Sequence, residues 1–101
     1  MNEIALKSVA SLVGLSEISI TSGNNEQLFE ALSNYLNHLI EHDFNQLVAI
    51  LYRVDVSEEK VRQTLANAPK GSNSGKLIAQ LILEREQQKM YWREKYKKGE
   101  I

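Results

Sequence analysis

The chain has 101 residues, 43% of them hydrophobic and 25% charged, with a formal net charge of −1 and no cysteine. That length supports one domain with a single modest core, and the balanced charge offers no global attraction to nucleic acid or to an anionic membrane. Without cysteine there is no disulfide, no thiol nucleophile and no thiolate metal site.

Residues 2–13 place Ile4, Leu6, Val9, Leu12 and Val13 at roughly helical spacing, and Gly14 ends the pattern. The opening residues lack the basic leader and sustained apolar segment of a signal peptide, and no run approaches the roughly 20 apolar residues of a membrane span. A cytoplasmic protein is the expectation. Leu15, Ile18 and Ile20 then alternate with Ser and Thr, like a strand. A lone strand needs a partner, so this stretch reads as an extended linker, with a strand pair to a second chain as the rival. Ser22–Asn25 is a turn cluster whose asparagines suit a helix cap. Over residues 26–41, Leu28, Phe29, Leu32, Leu36, Leu39 and Ile40 form a clear amphipathic stripe.

A break near His42 joins that helix to the densest apolar run of the chain, with the two expected to pack as an antiparallel pair. Asp43 followed by Gln46 is a capping-box pattern, and Phe44, Leu47, Val48 and Leu51 recur on one helical face that Ile50 and Tyr52 widen. The alternation of Tyr52, Val54 and Val56 with Arg53 and Asp55 is the strand alternative; the cap favours a helix. A turn at residues 54–56 leads to a second start, with Asp55 and Glu58, or Ser57 and the acidic pair behind it, as caps. Val61 and Leu65 continue that helix and Pro69 stops it.

Residues 70–75 form a polar loop. The last helix spans about residues 74–98, roughly 36 Å at the usual rise. Its main stripe is Leu77, Ile78, Leu81 and Ile82, and continued at helical spacing it meets Arg85 and Lys89, then Trp92 and Tyr96. The core is therefore expected to end near Arg85, with the second half of the helix projecting. Ala79, Leu83 and Met90 make a thin second seam interrupted by Glu86. The chain thus divides into an N-terminal helix and linker (1–25), a core (26–90) and a projecting helix end (91–101).

Three segments invite a chemical reading. His38-Leu39-Ile40-Glu41-His42 matches the His-x-x-Glu-His zinc motif of inverted zincins, and a metal-dependent hydrolase would use both histidines as ligands and the glutamate as base. The match covers five common residues, a third ligand is unidentified, and both histidines fall towards solvent, so surface histidines are the simpler reading. Gly71–Leu77 looks like a phosphate-binding loop opening a helix. However, only three residues separate its glycines and Leu77 stands where a magnesium-binding hydroxyl belongs. A connector is expected. Residues 89–98 mix Tyr91, Trp92 and Tyr96 with Lys89, Arg93, Lys95, Lys97 and Lys98, a composition that can stack on bases and neutralise phosphates. Glu84, Glu86, Glu94 and Glu100 dilute that charge. Asp43, Asp55, Glu58 and Glu59 are better explained as helix-start residues than as acid–base groups.

Leu51–Glu58, followed by Leu77–Arg85, resembles segments of small helical proteins of bacteria, over roughly residues 26–93. The resemblance implies a bacterial, cytoplasmic, all-helical protein and carries no activity with it.

The expectation is an all-α single domain, a small helical bundle of four to five helices with a long C-terminal helix. It should be a non-enzymatic interaction module without cofactor or metal, self-associating as a homodimer or joining another protein. Leu83, Met90, Tyr91 and Trp92 are the expected partner-contact residues, so Leu83→Glu should weaken self-association with little loss of helicity. A small nucleic-acid-associated regulator using the basic aromatic helix end is the alternative.

Overall fold

The computed structural model describes residues 3–12, 25–97 and 99. Among them are five helices and no strand: α1 (Glu3–Leu12), α2 (Asn25–His42), α3 (Phe44–Val54), α4 (Glu58–Asn67) and α5 (Ser74–Lys97). The segment read as a linker or strand, residues 15–23, lies outside the described residues. No described helix is long and apolar enough to cross a membrane.

The helix boundaries follow from local chemistry. Asp43, the single non-helical residue between α2 and α3, accepts a hydrogen bond from the Gln46 amide (3.2 Å) and so caps α3. Its own amide donates to the Leu39 carbonyl (2.9 Å), closing α2. Helix α3 ends in a Schellman arrangement. Asp55 takes a left-handed conformation (φ 68°), the Val56 amide reaches back to Leu51 O, and the Asp55 amide reaches Tyr52 O. Of the two possible caps for α4, Ser57 serves, accepting from the Lys60 amide at 3.1 Å. Asp55 instead pairs with Arg85.

Helix α5 is the centre of the bundle, and every other helix packs on it. Its most extensive partner is α2, not α3, so the expected α2–α3 pair is a lesser contact. The order of contacts Asn37–Asn73, Ser33–Gly75 and Glu30–Lys76 shows α2 and α5 running in opposite senses at their crossing. Small residues permit the approach. A Cβ on Gly75 would collide with the Ser33 carbonyl oxygen and stand 2.7 Å from Asn37 Cγ. Ser33, fully buried, satisfies its hydroxyl on Phe29 O (2.9 Å).

The face that α5 turns to the core differs from the expected one. Ile78 and Ile82 are buried as expected, but so are Ala79, Leu83 and Glu86, while Leu77 and Leu81 are only half-buried. The thin seam is therefore core. Helix α1, buried through Ala5, Leu6, Val9 and Ala10, packs on α5, and Ser8 makes a long hydrogen bond to Glu86 (3.5 Å). Glu86 is 4% exposed and held by Arg93 at 2.8 Å, one charge meeting another as burial requires. Leu83, expected at a partner contact, is 2% exposed and belongs to the core of the folded chain.

Nor does the core end at Arg85. Arg85 donates to the Asp55 carboxylate (2.9 Å) and carbonyl (3.1 Å), and Lys89 Nζ lies 3.4 Å from the carbonyls of Arg53 and Val54. Both cations cover the carbonyl end of α3, where the helix dipole favours positive charge. The stripe turns polar there because it meets a helix terminus rather than solvent. Arg85→Met, which keeps the aliphatic stem, is expected to lower stability by about 1–2 kcal/mol, a sum of partly exposed polar contacts. The urea midpoint would measure it, and an unchanged midpoint would reduce the clamp to a surface decoration.

Candidate interaction surface

The local geometry answers the three chemical readings in turn. His38 and His42 are exposed, with ring centroids 4.7 Å apart, and His42 lies 3.7 Å from Glu41. Among the described residues no third His, Cys, Asp or Glu side chain joins them in a metal-holding group. At the start of α5 the donors that would grip a phosphate already have acceptors. The Gly75 amide donates to Asn37 Oδ1 (2.8 Å) and the Lys76 amide to Asn73 Oδ1 (3.1 Å), while Lys76 Nζ pairs with Glu30 (2.9 Å). Asn37 also donates to Asn73 Oδ1 (2.9 Å), so α2 and the loop jointly cap the helix. This is a structural joint where an anion cradle would need unoccupied donors.

The end of α5 is the first candidate surface. Tyr91, Trp92 and Tyr96 are 55%, 53% and 72% exposed. Trp92 meets Tyr91 edge-on at 5.5 Å, and Lys95 Nζ stands 5.4 Å from the Tyr91 ring centroid. Met90, one residue before, is half-buried against the core. Of the four expected contact residues, then, Tyr91 and Trp92 lie on the surface, Met90 at its edge and Leu83 inside. The structure also withdraws two cations from this end, since Lys89 covers α3 and Arg93 holds Glu86.

A second surface was not visible in the sequence. Helices α3 and α4 each pack on α5 but make little contact with each other. The reason lies in α4, whose sequence Glu-Glu-Lys-Val-Arg-Gln-Thr-Leu-Ala-Asn offers Val61 and Leu65 as its larger apolar residues. Such a narrow stripe covers α5 and leaves nothing to close against α3. Between them lies a cleft of about 190 Å³, walled by Phe44, Val48 and Leu51 on one side and by Val61 and Leu65 on the other. Ile78 contributes to its floor, and Glu58 with Arg62, 3.4 Å apart, to its rim. Phe44 is 59% exposed and Tyr52 79%, although both were expected on the buried face; the residues of α3 that are buried are Leu47, Ile50, Leu51 and Val54. The signal was present in the four-residue spacing of Phe44, Val48 and Tyr52, a stripe of its own beside the core face.

The described residues form a small helical bundle that carries two bare apolar features among them: an aromatic helix end and an open cleft between two helices. Comparison with protein-family models, curated proteins and solved structures returns no match.

Proposed function

We propose that this chain is a non-enzymatic protein–protein interaction module that self-associates through the end of α5. The observation that carries the reading is the cluster of Tyr91, Trp92 and Tyr96, three large aromatics more than half exposed on one helix end. Aromatic groups so placed are what interfaces bury, and adjacent exposed aromatics mark a contact surface more often than scattered apolar residues do. The polar groups that would otherwise offer chemistry have structural work: Asp43 and Ser57 cap helices, and Asp55 holds Arg85. The rival, a nucleic-acid contact at this helix end, loses support because Lys89 and Arg93 are engaged within the fold.

Light scattering across a dilution series is expected to report twice the 11.5 kDa chain mass at high concentration. Trp92→Ala is expected to raise the dissociation constant by about tenfold or more with helicity unchanged, as interface tryptophans usually do. A dimer indifferent to Trp92→Ala would move the interface elsewhere, and salt-sensitive binding to a nucleic acid would favour the rival.

A further inference from the structure

The two bare features lie on one line. Ser74 and Trp92 are eighteen residues apart, as are Ile78 and Tyr96, and at about 3.6 residues per turn each pair is separated by about five whole turns. Ser74 and Ile78 line the α3–α4 cleft. The face of α5 that closes this cleft near its N-terminus is therefore the face that bears Trp92 and Tyr96 near its C-terminus. Between them Arg85 and Lys89 reach over the end of α3, so one half of this face is built up by α3 and α4 and the other half is bare.

From this we infer that the cleft receives the aromatic end of α5 from a second copy of this chain. The two copies would be related by a twofold axis near the middle of α5, with their α5 helices antiparallel. The inference rests on the proposed self-association and names its receiving surface. A built-up half paired with a bare half is self-complementary only in that antiparallel arrangement, in which both ends are satisfied at once. Trp92 and Tyr96 enter between Phe44 and Leu65 as apolar anchors of a helix in a groove. Net charge agrees in sign: Asp43 stands beside Phe44 while Glu58 at the rim is balanced by Arg62, and the last turn of α5 carries Lys95 and Lys97 against Glu94, one residue before Lys95. That net opposition favours the helix end at the cleft. Arg85 and Lys89 of both copies, which this register brings near the axis, are each held to the carbonyl end of their own α3.

Complementation by mixing tests the arrangement. Phe44→Lys alters the cleft wall at a residue 59% exposed, and Trp92→Ala removes the anchor. Each variant alone should dissociate about tenfold or more readily than the unaltered chain, because both copies of the contact are damaged in its homodimer. Mixed in equal amounts, they should form a heterodimer with one undamaged contact and an intermediate dissociation constant, read by light scattering or by energy transfer between differently labelled chains. Leu65→Lys, on the opposite wall, repeats the test should Phe44→Lys lower helicity. No recovery on mixing overturns the inference. A dimer that needs Trp92 yet ignores Phe44→Lys and Leu65→Lys also overturns it while leaving the α5 end as the interface. A chain monomeric at every concentration removes the second copy as occupant and self-association with it.

Discussion

Gly75→Ala is expected to destabilise the fold by about 2–4 kcal/mol, the upper range of overpacking combined with a disturbed cap. In isolation the change should help, because alanine is better than glycine in a helix by up to about 1 kcal/mol. The sign reverses here because the added methyl has no space. It would overlap the Ser33 carbonyl oxygen, which is backbone and cannot rotate away, and press on Asn37, the residue that accepts the Gly75 amide. To admit it, α2 and α5 must separate at their main crossing, and the shared cap of Asn37 and Asn73 must loosen. For a domain of this size the loss corresponds to a fall in Tm of about 10–25 °C. Gly71→Asn is the control. Gly71 is left-handed at φ 86° with nothing within 4 Å of an added Cβ, and asparagine tolerates that conformation, so its cost should stay under about 1 kcal/mol. Equal melting of Gly75→Ala and the unaltered chain would mean that the α2–α5 crossing is wider than described.

That crossing marks a limit of what residue order can reveal. Helix existence was legible because its signals are local. Asp43 caps α3 as expected, although its own amide donates to Leu39 O and not to the Gln46 side chain. Of the two caps left open for α4 Ser57 serves, and Pro69 follows the end of that helix. The role of Gly75 was not legible, because its neighbour Ser33 lies far upstream and the glycine resembles any loop glycine. The orientation of α5 was ambiguous for a different reason. A helix packed on by all the others is apolar around a wide arc, so two stripes compete and the stronger in sequence, through Leu77 and Leu81, is the less buried. Glu86 misleads in the same way: a charged residue reads as surface unless its buried partnership with Arg93, two turns on, is known. The aromatic end of α5 was legible as a composition, whereas the cleft exists only because α4 is too polar to close it.

Leu83→Glu is expected to unfold the protein rather than merely separate two copies. Leu83 is 2% exposed, and its replacement would lose roughly 2–5 kcal/mol of packing, judged from large-to-small core changes. The new carboxylate would add several kcal/mol more unless it were protonated or drawn out to water. It would also stand one helical turn from Glu86, itself only 4% exposed, where a like charge at this spacing repels and where Arg93 is already engaged. Together these losses approach the whole stability of a small domain, about 5–15 kcal/mol. Far-UV circular dichroism should therefore show a large loss of helix at 25 °C. Leu83→Ala should stay folded and melt lower, since it carries the packing loss without the charge. The contrast with Trp92→Ala is diagnostic, because that variant is expected to keep its helicity while losing mass in solution, with Tm falling only by the stabilisation that dimerisation adds at the protein concentration used. Should Leu83→Glu retain both helicity and Tm, position 83 would have to face solvent, and the core face of α5 would rotate back towards Leu77 and Leu81.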